Sequence, residues 1–301
     1  LRTIAGRYKL AGPIARGGMG TVWQGSDLRL NRPVAVKLIC EEELTARKDA
    51  TRRFYREARI TARLRHPGVP VVYDFGSDDD ELFMIMEYLD GHMVQDVLAE
   101  HTPLPVPWVV LIGAQVCAVL AAAHGAGLIH RDIKPGNLVV CADATVKVID
   151  FGVATSFGPT EFSQITAAGQ IPGTARYMAP ELLDGAEASR SSDLYTVGCL
   201  LYELLTGSRP FASRDLLTEI DRSRREDPPP MRRPDVPREL EELTFRLLAK
   251  SPEGRPDDVV RVFEILAPLV RTVPPLPGLV NRDLSTDPVH MYAAAVQRVG
   301  T

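Results

Sequence analysis

Eight consecutive residues, His130-Arg131-Asp132-Ile133-Lys134-Pro135-Gly136-Asn137, carry one carboxylate, one ammonium and one carboxamide in a loop pinned by Pro135. An aspartate in such a loop can accept the proton of an incoming hydroxyl. A lysine two residues on can balance charge on a phosphoryl group in flight. An asparagine oxygen is a hard ligand suited to Mg2+. Asp150-Phe151-Gly152 follows the end of a short apolar run and supplies a second hard ligand. Together these groups suit the transfer of a phosphoryl group to a hydroxyl.

Two further segments fit the same chemistry less specifically. Ala15-Arg16-Gly17-Gly18-Met19-Gly20-Thr21-Val22 lies between two strand-like runs. Glycines there let backbone N–H groups approach phosphates without a Cβ in the way. Taken alone, the segment also reads as a plain tight hairpin. Val34-Ala35-Val36-Lys37 places a lysine among strand formers, so its side chain points opposite to its neighbours'. It reads either as a phosphate-binding ammonium or as an exposed strand lysine. Glu57, on the helix that follows, is a natural partner for it, or else one member of a surface pair with nearby arginines.

The elements that must position these groups fall into two compositions. Arg7–Ile14, Val22–Gly25, Val34–Ile39, Val71–Phe75 and Leu82–Tyr88 read as strands, the last two joined by an acidic turn at Asp78–Glu81. Glu41–Leu64 reads as a helix with Phe54, Ala58 and Ala62 inward, stopped by His66-Pro67-Gly68. From Asp90 helices dominate. Val109–His124 and Leu194–Leu205 are apolar nearly all round, which requires burial in a larger core. Gly207 and Pro210 end the second, and short strands at Leu138–Val140 and Val146–Ile149 lie between the two. The spacing thus predicts a small β-rich lobe with one helix, a larger helical lobe, and a ligand cleft between them. Beyond Pro268, Pro274, Pro275 and Pro277 mark an extended linker, with a terminal helix expected over Asp287–Val299.

Composition narrows the class. The chain has 301 residues, 45% hydrophobic and 25% charged, with a formal net charge of −4. That balance argues against a dedicated nucleic-acid binder. Eight basic side chains between Arg47 and Arg65 read as a solvated helix face or as an anion site. Cys40, Cys117, Cys141 and Cys199 form no C-x-x-C pair and fit core positions in a reducing compartment. No signal peptide is expected from the opening residues, and the start at Leu1 suggests a fragment. The longest apolar run, Val109–Ala123, is broken by Gly113 and Gln115. It falls short of the roughly 20 apolar residues a membrane span needs, so no span is expected within the chain.

The combined motifs resemble the eukaryotic-type, or Hanks-type, serine/threonine protein kinases, and most of all their bacterial members. The likeness runs from about Gly6 to Leu269 and rests on specific motifs. It implies an α+β, two-lobed kinase fold, with an N-lobe over residues 1–89, a C-lobe over 90–270 and a tail over 271–301. It implies transfer of the ATP γ-phosphate to Ser/Thr hydroxyls of protein substrates, with Mg2+ or alternatively Mn2+. Carried over by position, Ile14, Gly17, Gly18, Met19, Gly20 and Val22 belong to the ATP-covering loop. Lys37 is the strand lysine and Glu57 its partner. Ala35, Val22 and Val139 would enclose adenine, Met86 would be the gatekeeper, and Glu87, Tyr88 and Leu89 the hinge. Asp132 would be the catalytic base, assisted by Lys134, with Asn137 and Asp150 on the metal. Gly173–Glu181 resembles the substrate-docking segment, in which Lys134 and Thr174 follow the Ser/Thr pattern. Glu181 would pair with Arg255, and Asp193 would head a C-lobe pillar helix.

The chain departs from the family pattern at Ala15, where the first loop glycine is expected, and at Thr61, where a larger apolar residue is expected. The resemblance also implies control by phosphorylation between Asp150 and Glu181. Thr160, Ser163 and Thr166 are the candidates there, Thr166 first, with Arg131 and Arg53 to receive the phosphate. A merely solvated hydroxyl loop is the plainer alternative. A homodimer would allow autophosphorylation in trans. The kinase domain is expected to be cytoplasmic, with a membrane tether beyond Thr301 left open. Two other function classes compete: a pseudokinase or nucleotide-binding scaffold, motivated by Ala15 and Thr61, and a small-molecule kinase of related fold. Retention of Lys37, Asp132, Asn137 and Asp150 speaks against the first, and the docking segment against the second.

Overall fold

The computed structural model describes residues 2–17, 20–40, 55, 58–59, 61–79, 81–150, 173–270 and 273–276. The chain forms two compact units, one through Asp90 and one from Gly91 onward. The expected positions Phe54, Glu57, Gly18, Met19, Arg53, Thr160, Ser163, Thr166 and the helix at Asp287–Val299 lie outside the described residues.

The N-terminal unit is an antiparallel sheet of six strands: β1 Thr3–Ile4, β2 Tyr8–Gly17, β3 Gly20–Asp27, β4 Arg32–Cys40, β5 Val72–Asp78 and β6 Glu81–Glu87. Their order is β1-β2-β3-β4-β6-β5. Period-2 alternation sorts β4 into two faces. Val34, Val36 and Leu38 join Ile4, Tyr8, Leu10, Phe83 and Ile85 in one apolar cluster. Ala35, Lys37 and Ile39 take the other face, where Ile39 packs with Ala58, Leu82 and Met84. Full burial of each such aliphatic side chain stabilises by about 1.5–3 kcal/mol. The sheet curls so that its edges meet. Tyr8 Oη donates to Asp74 Oδ2 at 2.6 Å, the Ala5 N–H donates to Asp78 Oδ2 at 2.8 Å, and Arg2 pairs with Glu81.

Several elements differ from expectation. β2 and β3 run three and two residues further toward each other than the sequence suggested, pairing Ala15 with Val22, Arg16 with Thr21 and Gly17 with Gly20. Register shifts flank Pro13, which has no N–H to give the ladder. Residues 55, 58–59 and 61–63 are helical, and Ala58 is buried as expected, but Ala62 is exposed. A single methyl has little surface to bury, and the larger Leu64 just past the helix is buried instead. Thr61 is half-exposed, and Arg59, Arg63 and Arg65 face solvent.

The second unit begins with β7 Gly91–Met93, which pairs with β8 Leu138–Cys141, itself paired with β9 Val146–Val148. Among the described residues its helices are α1 Val94–Glu100, α2 Val106–Gly125, α3 Pro180–Leu183, α4 Arg190–Thr206, α5 Leu216–Arg225, α6 Arg238–Leu247 and α7 Val259–Leu266. Helix α2 is long and apolar enough to cross a membrane, yet 83% of that stretch is buried within the protein, packed against α4 and α7. Helix α4 starts earlier than its apolar run because Ser189 and Ser192 form a capping box. It ends at Gly207, whose φ of 78° would strain any residue with a Cβ. In α7, Val259, Val262, Phe263 and Leu266 fall at i, i+3, i+4 and i+7 and form its buried face. Val273 and Leu276 are buried, and the Trp108 indole N–H donates to the Pro274 carbonyl at 2.8 Å. The start of the proline-rich segment therefore packs on this unit.

Gly20 offers a direct test of the sheet. Its φ is +114°, and an added Cβ would sit 2.0 Å from the Leu38 carbonyl oxygen of β4. Gly20→Ala should therefore destabilise the protein by about 1–3 kcal/mol in denaturant unfolding, before any effect on ligand binding is considered.

Candidate active site

Asp193 organises the segment His130–Asn137. It lies in the first turn of α4, where the helix N-terminus favours an anion. Its side chain is fully buried and accepts three hydrogen bonds: His124 Nε2 at 2.8 Å, the His130 N–H at 2.9 Å and the Arg131 N–H at 2.8 Å. These donors satisfy a charge that would otherwise be costly to bury. Arg131 takes a left-handed φ of 73°, uncommon for a side chain of its size. His130 Nδ1 accepts from the Asp132 N–H at 3.3 Å, so the ring proton belongs on Nε2. Burial holds the His130 imidazole below its ordinary value of 6.5.

The chemistry-bearing side chains are gathered beyond that anchor. Lys134 Nζ lies 2.7 Å from Asp132 Oδ2 and 3.0 Å from Oδ1. Asn137 Nδ2 donates to the Asp132 carbonyl and to Oδ2, both at 2.8 Å. The carboxylate is thus held from two sides, and the Asn137 amide oxygen is the end left to serve as a ligand. A 3-10 turn over Pro135–Asn137 leads straight into β8, and the Ile149 N–H donates to the Asn137 carbonyl at 2.9 Å. Asp150 follows with a φ of 53° and is exposed. Val139 is buried on β8, opposite Met93 and Lys147.

In the N-terminal unit, Lys37 is only 5% exposed, opposite Val22 on β3 and Met84 on β6. That removes the exposed-strand reading. Ala35 lies two residues earlier on the same face, opposite Met86. Glu87 ends β6 with its N–H donating to the Val71 carbonyl at 2.8 Å and its carboxylate accepting from the Val71 N–H at 3.2 Å. Leu89 is half-exposed and Ile14 52% exposed. Gly17 closes β2, and Thr174 lies in the 3-10 turn Gly173–Tyr177.

A protein kinase domain model matches residues 8–265. The chain belongs to the protein kinase domain family. The serine/threonine-protein kinase PknA of Mycobacterium tuberculosis is 39% identical over 258 residues, which is 84% of this chain and 59% of that protein. The serine/threonine-protein kinase pkn3 of Myxococcus xanthus is 40% identical over 269 residues, 85% of this chain and 48% of that protein. PknB of Mycolicibacterium smegmatis is 37% identical over 278 residues, 88% and 44% of the two chains. The chain therefore spans about half the length of the curated relatives it matches. All three relatives are named serine/threonine-protein kinases, which leaves the pseudokinase reading without support. The two units are the β-rich N-lobe and helical C-lobe of the kinase fold.

The family uses ATP with a divalent metal, and the C-lobe donors suit one. A carboxylate and an amide oxygen match a hard cation that takes one or two protein ligands and fills its remaining positions with phosphate and water. Among the described residues no group of three or more His, Cys, Asp or Glu side chains forms a closed metal cage. An open site of this kind does not need one.

The segment Gly173–Glu181, expected to dock substrate, is tied to the C-lobe core. Arg255 Nη1 and Nη2 reach Glu181 Oε1 and Oε2 at 2.6 and 2.7 Å, a bidentate pair in which the arginine side chain is fully buried. Arg255 also donates to the carbonyls of Ala249, Ser191 and Lys250. A second cluster was not legible in the sequence. Tyr177 Oη donates to Glu203 Oε2 at 2.7 Å, while Arg176 and Arg209 both reach Glu219. Burial raises both the Tyr177 phenol and the Glu203 carboxyl above their ordinary values. Glu203 lies in an apolar helix, and that local break in pattern is the signal that could have exposed it. Cys117 and Cys199 are buried, and burial pushes both thiols up, as for inert core cysteines.

Two outcomes follow from these networks. Arg255→Ala leaves Glu181 facing the cavity of a lost partner, and chemical denaturation should show a loss of about 3–5 kcal/mol. His130 should impose a pH dependence. Between its depressed folded value and 6.5 the unfolded chain binds more protons than the folded one. Its stabilising contribution is complete above 6.5 and declines as pH falls through the folded value. Unfolding midpoints measured across that window should drop toward acid, with a shallower slope in His130→Gln.

Proposed function

We propose that the chain is the catalytic domain of a serine/threonine protein kinase that transfers the γ-phosphate of ATP to Ser/Thr hydroxyls of proteins. The observation that carries this reading is the Asp132 carboxylate, held by Lys134 and Asn137 in a loop fixed from behind by the buried Asp193. Phosphoryl transfer needs placement and charge compensation more than covalent chemistry. Asp132 orients the acceptor hydroxyl and takes its proton. Lys134 offsets charge on the phosphoryl group in transit. Asn137 and Asp150 hold Mg2+, with Mn2+ as the alternative, and the metal neutralises the phosphate oxygens when bound.

The remaining assignments complete this proposal. Lys37 binds the α- and β-phosphates, with Glu57 as its partner. Ile14, Gly17, Gly18, Met19, Gly20 and Val22 cover the nucleotide. Ala35 and Val139 join Val22 around adenine, Met86 is the gatekeeper, and Glu87 and Leu89 present backbone groups to the base. Thr174 docks the substrate. Phosphorylation at Thr166 or Ser163, read by Arg131, regulates the domain, and a homodimer supplies it in trans. The lobes run over 1–89 and 90–270, followed by a 271–301 tail, and the domain works in the cytoplasm, with any membrane tether lying outside the chain.

Radiolabelled ATP with Mg2+ and a generic basic protein tests the reading. Wild type should label the substrate and itself. Asp132→Asn should lose transfer by at least about two orders of magnitude while still binding ATP. Near-normal turnover by that variant would sink the assignment, and nucleotide binding without any transfer by wild type would favour a scaffold.

A further inference from the structure

Helix α2 is apolar along its buried length except for Gln115 and, in its last turn, His124. His124 belongs to the Asp193 network. Gln115 has no place in the chemistry described so far, yet its side chain is fully buried and both of its polar atoms are hydrogen-bonded. Its Nε2 donates to the Ala144 carbonyl at 2.9 Å, and its Oε1 accepts from the Val146 N–H at 2.8 Å. Ala144 lies in the turn that joins β8 to β9, and Val146 opens β9. Ala144 in that turn holds a left-handed φ of 62°.

The other end of the same hairpin carries Asn137 and Asp150. Asn137 immediately precedes β8, and Asp150 follows β9 by two residues. The hydrogen bond from Ile149 N–H to the Asn137 carbonyl closes that end. The register Leu138↔Val148, Val139↔Lys147 and Val140↔Val146 therefore sets where one residue lies relative to the other. A slip of one residue would displace Asp150 by about 3.3 Å and reverse every side chain of β9. A carboxamide suits this position because it offers a donor and an acceptor side by side without charge.

We infer that Gln115 is a positioning residue for the metal ligands, gripping the β8–β9 turn from the core helix so that Asn137 and Asp150 keep their relative register. The inference rests on the reading of Asn137 and Asp150 as metal ligands given above. The role is distinct from core packing. It acts on the metal-dependent part of nucleotide binding and leaves the metal-free part to the N-lobe.

The experiment is titration calorimetry of ATP on the full 301-residue chain, in excess EDTA and in Mg2+, for wild type, Asp150→Asn and Gln115→Met. Methionine keeps the volume and removes both hydrogen bonds. Wild type should gain affinity on adding Mg2+, and Asp150→Asn should lose that gain. Gln115→Met should keep its EDTA affinity within about twofold and lose about tenfold of the Mg2+-dependent gain, as for other groups that orient metal ligands. If Asp150→Asn loses the gain and Gln115→Met keeps it, the role of Gln115 is overturned and the kinase reading stands. If wild type shows no gain, or Asp150→Asn retains it, the metal assignment itself fails and the inference fails with it. Should Gln115→Met not fold, Gln115→Glu keeps the acceptor for Val146 and removes the donor to Ala144, and should lose part of the gain. Hydrogen exchange on wild type provides a check that needs no variant. The Val146 amide should exchange as slowly as those of the β8 and β9 strands, and fast exchange there would overturn the grip.

Discussion

The C-lobe depends on one buried anion. The Asp193 carboxylate has no solvent contact, so its charge is tolerable only while its three donors stay in place. Those donors come from the end of α2 and from the His130–Arg131 backbone, while Asp193 itself belongs to α4. Two core helices and the His130–Asn137 segment are therefore tied to a single group. The left-handed Arg131 is the local strain that this arrangement sustains. Without the anchor, the segment would lose two of the backbone hydrogen bonds that hold this conformation, and Asp132, the next residue, would lose support for its direction.

The N-lobe solves a different problem, that of burying a cation on a sheet. Strict alternation along β4 sends three branched residues to the larger apolar cluster and leaves Ala35, Lys37 and Ile39 on the other face. Lys37 is buried opposite Met84 on β6, a position that a long aliphatic stem suits while its ammonium keeps a polar role. Curling of the sheet through Tyr8, Asp74 and Asp78 holds β4 in the middle, with β3 and β6 on either side. A central strand cannot shift register without disturbing both neighbours, which makes it a sound support for a residue that must be placed accurately.

Much of this was legible in the sequence, for reasons that differ by element. The His130–Asn137 segment was readable because Asp132, Lys134 and Asn137 are close in sequence, so their side chains meet within one loop. The Glu181–Arg255 pair, 74 residues apart, was reachable only through the family resemblance. Strand ends at Gly17 and Gly20 were missed because glycine weighs against strand in any local reading, whereas here the hairpin ladder continues through it. Ala62 failed as an inward residue because helical spacing fixes a direction but does not say where the neighbouring surface stops. The Tyr177, Glu203 and Glu219 network left almost no trace, since charged residues in helices ordinarily mark the solvent side.

The contact between Trp108 and Pro274 bears on where this folded unit ends. The family match stops at residue 265, but the chain continues through buried Val273 and Leu276 and meets the first turn of α2. A protein cut at the family boundary would uncover part of the floor beneath its own central helix and leave the Trp108 indole without the carbonyl it donates to. Tension applied at Leu276 would be carried to the base of α2 through the Trp108–Pro274 hydrogen bond, so this contact is a mechanical joint between the segment and the core helix.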